Sequence, residues 1–489
     1  MNKDKITRRF IDILSNTIIC AMPKKYFTTP EKANKYMLAG DSVFSEKTGE
    51  FFTCGFAKED FTPADAAEKK YFIAGYNSNN LAEKVLDNIY ARAVYIDDNT
   101  GRGGVVLCVI DAVGISRKDI NDIRRLVIES NKIPNLKSIS VSATHTHSAI
   151  DTQGLWGENF YKSGRNEEFM EYLKEKAAQA IISAYENRKD GKLFYSVTET
   201  EDMHCDYREP IAYDPNLTKI RFEAFDASEE IHLINFACHA ELLGSKTKQI
   251  SADFPCYMIR EIEENNKNTN ALFFNGAIGG MITAKEIKKV YRNEIDCEAY
   301  TKEYGKALGE IANSMTDETE IEPVINVKSE PVKILAANFV LIIARFLKVL
   351  NNDILRAEKR NQAYVSTEVG YLELGLNKIG VFLIPGELFP ELWDGNFLHG
   401  YASATGNHAH YNILRDMSKC DHRFIIGLCN DELGYIIPDN DFILNETVPY
   451  IDPATDIHGR RHYEETNSTG PETARTILNA IESLIKSVK

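Results

Sequence analysis

The sequence lacks several features that would each assign it to a particular class of protein. Its nine cysteines are scattered, odd in number and without a CxxC pair, which favours reduced thiols over a disulfide framework. Acidic residues outnumber basic ones, and the net charge of −15 argues against binding to nucleic-acid phosphates. Internal repeats and long low-complexity linkers are absent from the sequence. We therefore expect a globular protein with a cytoplasmic location.

The sequence also lacks an apolar run long enough to span a bilayer. Its most apolar segment, residues 334–350, contains Asn338, Arg345 and Lys348 and falls short of the ~20 apolar residues that a spanning helix needs. It predicts a buried or amphipathic helix, and the alternative is a lip over a lipid-binding cleft or a contact with a membrane surface. The basic N-terminus has no clear cleavage site and predicts a short amphipathic helix rather than a signal peptide.

What the chain does contain is a composition that supports a large core, with 43% hydrophobic and 26% charged residues over 489 positions. Residues 1–50 are expected to form a partly helical extension, followed by strand and helix patterns over residues 51–489. Residues 105–111 form a continuous apolar run that ends in the carboxylate of Asp111, residues 117–131 have helical spacing, and residues 138–143 predict another strand. Strand, helix and strand in this order predict an α/β fold.

Two histidines, His145 and His147, follow the predicted strand at 138–143. On an extended chain, alternation would point both rings to the same side. Imidazole is the commonest zinc ligand and also serves as a general acid or base near neutral pH. Two polar residues in a surface loop are the plain alternative, so this spacing alone leaves the function open.

Three further candidate ligands stand at or just beyond the ends of other apolar strands. They are His239 after the strand at 230–238, Glu387 after the strand at 378–385, and Tyr435 at the end of 424–435. Each has an ordinary structural explanation, because His239 and Tyr435 fit a core and Glu387 fits a helix cap. The order of the four sites and the residues around them change this interpretation.

The ordered set of motifs resembles the neutral/alkaline non-lysosomal ceramidases. The similarity covers roughly residues 51–488 and consists of short segments that occur in the order seen in that family. The segments are Ala74–Tyr76, Tyr90–Ala93, Thr144–Ser148, Asp206–Arg208, Phe236–His239, Ile250–Asp253, Phe274–Gly280, Ile384–Glu387 and Asn430–Tyr435. The resemblance implies a ceramidase-like zinc hydrolase domain over residues 51–489, with layered mixed β-sheets flanked by helices.

The resemblance also implies roles for individual side chains. The zinc ligands would be His145, His239, Glu387 and Tyr435, in keeping with the preference of Zn²⁺ for imidazole and carboxylate. His147 would act as an acid or base, or contact the substrate. Arg208, the counterpart of an arginine in the family's site, would stabilise a developing oxyanion. Asp111 and Asp253 are candidates for orienting a ligating imidazole.

The sequence departs from the family pattern in three places. Ile282 occupies the position of a serine that precedes a proline, and Thr283 would supply the hydroxyl only through a shift of one residue. The segment Ser148–Thr152 replaces a glycine-rich stretch after the second histidine. The sequence also stops after the catalytic region, so we expect no C-terminal β-sandwich.

These observations favour a zinc-dependent hydrolase of linear amides, with an N-acyl lipid as a candidate substrate. An amidase or esterase for a small or cell-wall-derived substrate is the first alternative, favoured by Ile282 and the altered segment at 148–152. A non-catalytic member that keeps the fold is the second alternative. Asn275–Gly280 is not a GxGxxG motif and no acidic residue follows at the required spacing, so a dinucleotide site is not predicted.

Overall fold

The computed structural model describes residues 3–66 and 68–488. The helices are α1 Lys3–Ala21, α2 Pro30–Ala33, α3 Arg117–Ser130, α4 Glu167–Glu186, α5 Phe254–Asn265, α6 Ile287–Arg292, α7 Cys297–Ser314, α8 Phe339–Phe346, α9 Glu391–Asp394, α10 Leu414–Met417 and α11 Thr473–Val488. The strands are β1 Phe52–Asp60, β2 Lys84–Val85, β3 Tyr90–Asp97, β4 Val105–Ile110, β5 Ser138–Ala143, β6 Lys189–Glu199, β7 His204–Asp206, β8 Asn216–Ala224, β9 Glu230–Phe236, β10 Gln249–Ile250, β11 Thr269–Asn275, β12 Ile282–Ala284, β13 Thr319–Ile321, β14 Ile325–Leu335, β15 Ile354–Arg356, β16 Ala363–Leu374, β17 Ile379–Leu383, β18 Glu387–Leu388, β19 His422–Ile426, β20 Tyr435–Ile436, β21 Ala454–Thr455 and β22 Arg461–His462.

Two large mixed sheets form the centre of the fold. The first has the order β11-β9-β8-β6-β1-β3-β4-β5, with β13 beside β6, and the second has the order β14-β16-β17-β19, with β15 beside β16. The pairs β9/β11, β4/β5 and β17/β19 are parallel, and the other pairs in these two sheets are antiparallel. The predicted class, α/β with layered mixed sheets, is confirmed.

The two sheets pack face to face, and helices cover their outer faces. The buried side chains between the sheets include Phe52, Leu107, Leu233, Phe274, Leu372, Val381 and Phe424. Helices α3 and α4 pack on the outer face of the first sheet, α5 covers β11, and α11 packs on the second sheet. Burial of this apolar surface, at about 25 cal/mol per Å², is the main force that holds the layers together.

Local sequence explains why the elements form where they do. Every residue of β4 is buried, as its unbroken apolar run predicts. Helix α3 begins after Ser116, whose side chain accepts a hydrogen bond from the backbone N–H of Asp119, and it ends at Asn131 in the left-handed conformation. In α11 the apolar side chains that include Ile477 and Ile481 recur at helical spacing and are buried.

The segment at 334–350 is shorter as a helix than its composition predicts. Strand β14 continues to Leu335, Asn338 caps the N-terminus of α8 through Val340 and Leu341, and the helix is only eight residues long. Within residues 3–66 and 68–488, no helix has the length and apolar character that crossing a bilayer requires.

The predicted extension at 1–50 is helical in part and packs on the rest of the chain. Ile19 of α1 lies in a buried cluster with Ile342 of α8 and Ile354 of β15. Thr28 forms a bridge with Leu355, beside the second sheet. All nine cysteines are free thiols, as their scattered positions predict.

Candidate metal centre

The predicted histidine ligands meet between the loops that follow strands β5 and β9 of the first sheet. Strand β5 leads to His145, and β9 leads to His239. The side-chain amide of Asn275, at the end of β11, donates to the carbonyl oxygen of Thr144 over 2.8 Å. A bridge between Thr146 and Ala240 then joins the two histidine-bearing loops. The loops after β5 and β9 therefore converge, although β5 is at one end of the sheet and β9 is next to the strand at the other end.

The local conformation at His145 differs from the predicted extended chain. Its φ is +61°, in the left-handed region, which is uncommon for residues other than glycine and is kept here by the surrounding structure. Strand alternation is therefore the wrong explanation for the orientation of His145 and His147, but the rings do converge. The ring centroid of His145 lies 4.9 Å from that of His147 and 4.8 Å from that of His239.

Backbone carbonyls fix the two predicted histidine ligands in one tautomer. The Nδ1 atom of His145 lies 2.6 Å from the carbonyl oxygen of Val113, and that of His239 lies 2.9 Å from the carbonyl oxygen of Ile282. A carbonyl only accepts, so each Nδ1 carries the proton and donates. Each Nε2 is therefore the nitrogen that can bind a cation. Such a carbonyl partner is a common support for a histidine that binds zinc.

Glu387 completes the cluster from a different part of the chain. Its Oε2 atom lies 3.1 Å from Nε2 of His239 and 3.7 Å from Nε2 of His145. Strands β18 and β20 are parallel and place Glu387 opposite Tyr435. The Tyr435 hydroxyl hydrogen-bonds to the Glu387 carboxylate and lies 3.2 Å from the hydroxyl of Tyr463. Two imidazoles, a carboxylate and a phenol thus share one buried location.

The electrostatics of the cluster suit a bound cation. Burial lowers the pKa of His145 to about 3 despite the charge of Glu387, and burial also lowers the pKa of His147 to about 3. Burial alone would raise the pKa of Glu387, but the imidazoles of His145 and His239 outweigh it and lower that pKa. Burial would lower the pKa of His239, but its hydrogen bond to Glu387 and the charge of that carboxylate outweigh burial and raise it. His145 is therefore neutral near pH 7 and Glu387 is ionised, as a metal ion requires, whereas His239 must give up a proton when a cation binds.

The spacing of the donor atoms fits zinc. Ligand atoms at 2.0–2.1 Å from a tetrahedral Zn²⁺ are about 3.4 Å apart, and the two nitrogen–oxygen distances are 3.1 and 3.7 Å. His147 also offers a nitrogen within 4.8 Å of donor atoms on both His145 and His239. The residues therefore fit a zinc ion, with His147 beside the four predicted ligands.

His147 has no hydrogen-bond partner at Nδ1 among the described residues, although this atom is buried. Glu241 Oε2 lies 3.8 Å from it. Gly75 packs directly against the ring, because a Cβ atom at that position would lie 2.4 Å from Cγ of His147. His147 also lines the adjoining cavity, so the ring that was predicted as an acid or base has both an ionisable neighbour and access to a ligand.

Two carboxylates that were not predicted also face the site. Glu241 is fully buried, and its Oε2 and Oε1 atoms accept hydrogen bonds from the hydroxyls of Tyr76 and Tyr291. Burial, together with the charge of Glu387, raises the pKa of Glu432 well above its usual range. Glu241 stands two positions after His239, and Glu432 lies within the motif at 430–435. Their closeness in sequence to predicted ligands is the signal by which these two carboxylates could have been found.

The other sequence-predicted residues lie outside the described lining of the cavity. Arg208 donates to Glu391 over 2.6 Å, and its guanidinium lies over the ring of Phe389. Thr283 is fully buried, with a hydroxyl that has no partner among the described residues. Ile282, at the family's serine position, is also fully buried.

The suggestion that Asp111 or Asp253 orients a ligating imidazole is wrong. The carboxylate of Asp111 accepts from Arg92, and that of Asp253 accepts from backbone N–H groups, including that of Leu242. The backbone carbonyls of Val113 and Ile282 orient the two ligating imidazoles instead.

A cavity of about 500 Å³ adjoins the cluster. Its polar end contains His145, His147, Glu241, Glu387 and Tyr435, and its other walls are largely apolar. The apolar lining includes Leu155, Trp156, Leu341, Ile342, Leu350, Ile354 and Val365. Helix α8, in the segment predicted as a buried helix or a lip over a cleft, therefore provides one wall of the cavity.

The fold is similar to that of known ceramidases, although neither a family model nor a curated protein matches the sequence. The crystal structure of neutral ceramidase from Pseudomonas aeruginosa matches with a TM-score of 0.65 and 15% identity, over 90% of this chain and 74% of that one. A ceramidase complexed with C2 matches with a TM-score of 0.64 and 15% identity, over 89% and 75% of the two chains. At this identity the similarity shows the fold alone.

Proposed function

We propose that this chain is a divergent member of the neutral ceramidase family and a zinc-dependent hydrolase of linear amides. The observation that carries the proposal is the meeting of His145, His239, Glu387 and Tyr435 at one end of a cavity with apolar walls. Zinc is the cofactor, because imidazole and carboxylate donors at this spacing are the ligands that it prefers. A large apolar cavity with a few convergent polar groups is also the usual form of a small-molecule site.

The chemistry divides between the cofactor and the chain. Zinc, when bound, polarises an amide carbonyl and makes a water molecule more acidic. His147 is neutral and has a free Nδ1 atom, so it can take a proton and give one to the leaving amine. Glu241 is placed to stabilise a positive charge on His147, while Tyr76 and Tyr291 hold its carboxylate in position. Arg208 and Thr283 keep their family-based roles only as predictions, because their side chains do not line the cavity.

The direct test is to measure bound zinc and the hydrolysis of fluorogenic N-acyl amides and N-acylsphingosine. We expect about one zinc per chain in the wild type and loss of both zinc and activity in His145→Ala. The exposed His458→Ala is the matched control and should keep both. Full zinc content and full activity in His145→Ala would refute the ligand assignment. A wild-type protein that binds zinc but hydrolyses no amide in the panel would favour the non-catalytic alternative.

The cavity favours an acyl chain over a small polar substrate, because its wall on α8 is apolar. An amidase or esterase for small substrates is the competing proposal, favoured by Ile282 in place of the family's serine. Leu341→Trp separates the two, since it narrows the apolar part of the cavity without touching the ligands. Long-chain amides should then lose turnover selectively at unchanged zinc content. An equal effect on short-chain and long-chain substrates would instead favour the small-substrate enzyme.

A further inference from the structure

The cavity contains one cationic side chain among its described lining residues, and that side chain is far from the candidate metal centre. Arg345 lies in the last turn of α8, and its Nε donates to the carbonyl oxygen of Asn352 over 2.6 Å. No described carboxylate lies within 4.0 Å of its guanidinium nitrogens. The charge therefore faces the cavity wall without an ion-pair partner from the described chain.

The carboxylate of Asp353 influences Arg345 but forms no ion pair with it. Asp353 is the carboxylate whose charge acts on Arg345, but Arg117 and Lys118 act on the same carboxylate. Asp353 is therefore not reserved for Arg345, although Arg117 also pairs directly with Glu368. Burial also lowers the pKa of Arg345, which shows that the guanidinium is partly removed from water. A half-buried arginine without an ion-pair partner can gain much from an anionic ligand, since charge-assisted hydrogen bonds are the strong ones.

Helix α8 sets the distance between this charge and the candidate metal centre. Its N-cap, Asn338, donates to the carbonyl oxygens of Thr466 and Ser468, and Ser468 forms a bridge with Gly434 next to Tyr435. The N-terminal end of α8 therefore lies on the side of the ligands. Arg345 is seven residues further on, which at 1.5 Å per residue places it about 10 Å farther along the helix axis.

The lining between the two ends is largely apolar. Leu341 and Ile342 contribute from α8, and Ile354 and Val365 contribute from the second sheet. An extended hydrocarbon chain suits this part of the cavity, because it gains burial without leaving polar groups unpaired. A purely apolar chain would leave the guanidinium unpaired at its far end, whereas a chain with an anionic end group would satisfy it.

We propose that the substrate is an N-acyl amide whose acyl chain ends in an anionic group, and that Arg345 binds this group. The inference rests on the proposed function, since it places the amide carbonyl at the candidate metal centre. Guanidinium binds carboxylate and phosphate through the same paired N–H donors, so both end groups fit the chemistry. Arg345 is then a specificity residue and takes no part in the bond cleavage.

The test compares acyl chains of one length with different ends. The substrates are the decanoyl amide of aminomethylcoumarin, its counterpart with a terminal carboxylate and an analogue with a terminal phosphate. The enzymes are zinc-loaded wild type, Arg345→Met, which keeps an unbranched apolar stem, and the exposed control Arg360→Met. We expect Arg345→Met to raise KM for the anionic substrates about 10- to 100-fold, with the decanoyl substrate unaffected or improved. The two anionic substrates show which end group is preferred.

Two results would overturn the proposal. One is equal kcat/KM for the decanoyl and anionic substrates in the wild type. The other is an equal loss on all three substrates in Arg345→Met, which would show a structural role. If the wild type cleaves none of them, the proposed function fails, and the role of Arg345 is tested by calorimetry with decanedioic and decanoic acids. Tighter binding of the diacid that disappears in Arg345→Met would support the assignment, and equal binding would refute it.

Discussion

Glu387 and Tyr435 lie directly opposite each other on two parallel strands of two residues each. This register brings a carboxylate and a phenol from separate chain segments into hydrogen-bonding contact. The same carboxylate lies 3.1 Å from Nε2 of His239. Strand pairing therefore positions two of the four candidate ligands, Glu387 and Tyr435. The loops after β5 and β9 position the two histidines.

We expect the two paired residues to differ in their effect on zinc affinity. Glu387→Gln removes the anionic ligand and should weaken zinc binding by more than the roughly 10- to 100-fold that loss of a partner of a ligand causes. Tyr435→Phe removes a weaker ligand and should have the smaller effect. Competition with a chelator of known affinity measures both. Wild-type affinity in Glu387→Gln would exclude this carboxylate as a ligand.

Glu241 should affect turnover more than substrate binding. Glu241→Gln keeps the size of the side chain but removes the negative charge near Nδ1 of His147. We expect kcat to fall about 100-fold, in the range of general acid–base effects, with zinc content unchanged. Steady-state kinetics with a fluorogenic amide measure kcat and KM separately. The exposed Glu446→Gln serves as control, and an unchanged kcat in Glu241→Gln would show that His147 acts without this charge.

A buried ion pair between α3 and the second sheet should be a major determinant of stability. Glu368 is fully buried and accepts from Arg124 over 2.6 Å and from Arg117 over 3.2 Å. Glu368→Gln leaves two buried guanidinium groups without their counter-ion and should lower the free energy of unfolding by about 3–5 kcal/mol. Urea unfolding measures this loss. The exposed Glu358→Gln should stay within about 0.5 kcal/mol of wild type, and a similarly small change in Glu368→Gln would contradict the expectation.

Acid should destabilise the metal-free protein through the buried imidazole of His147. Burial lowers the pKa of His147 to about 3 in the folded chain, against about 6.5 when unfolded. Between these values the unfolded state binds the extra proton, so the free energy of unfolding falls as pH decreases. Below about pH 6, His147 alone should lower the free energy of unfolding by close to about 1.4 kcal/mol for each unit by which the pH falls.

His147→Gln removes this titration and should flatten the pH dependence. Urea unfolding of the metal-free protein near pH 7 and near pH 5 compares the variant with wild type. The exposed His458→Gln should keep the wild-type slope. Equal slopes in wild type and His147→Gln would mean that His147 is protonated to the same extent in the folded and unfolded chains.

Much of the secondary structure could be predicted because its signals are local. The unbroken apolar run at 105–110 produced β4, and the helical spacing at 117–131 produced α3. The eight-residue length of α8 could not be predicted in this way. Asn338 starts the helix after β14 has already used part of the apolar segment, and tertiary contacts decide where one element ends and the next begins.

The sequence by itself determined which side chains are available for the candidate site, through His145 and His147 after a strand and the ordered motifs at 236–239, 384–387 and 430–435. Tertiary structure alone decided the left-handed turn at His145, the carbonyl partners of the two imidazoles, the position of Glu241 beside His147 and the place of Arg345 in the described lining of the cavity. The physical reason is one of range. Hydrophobic periodicity acts over a few residues and can be read along the chain, whereas coordination geometry and desolvation depend on groups that only packing brings together.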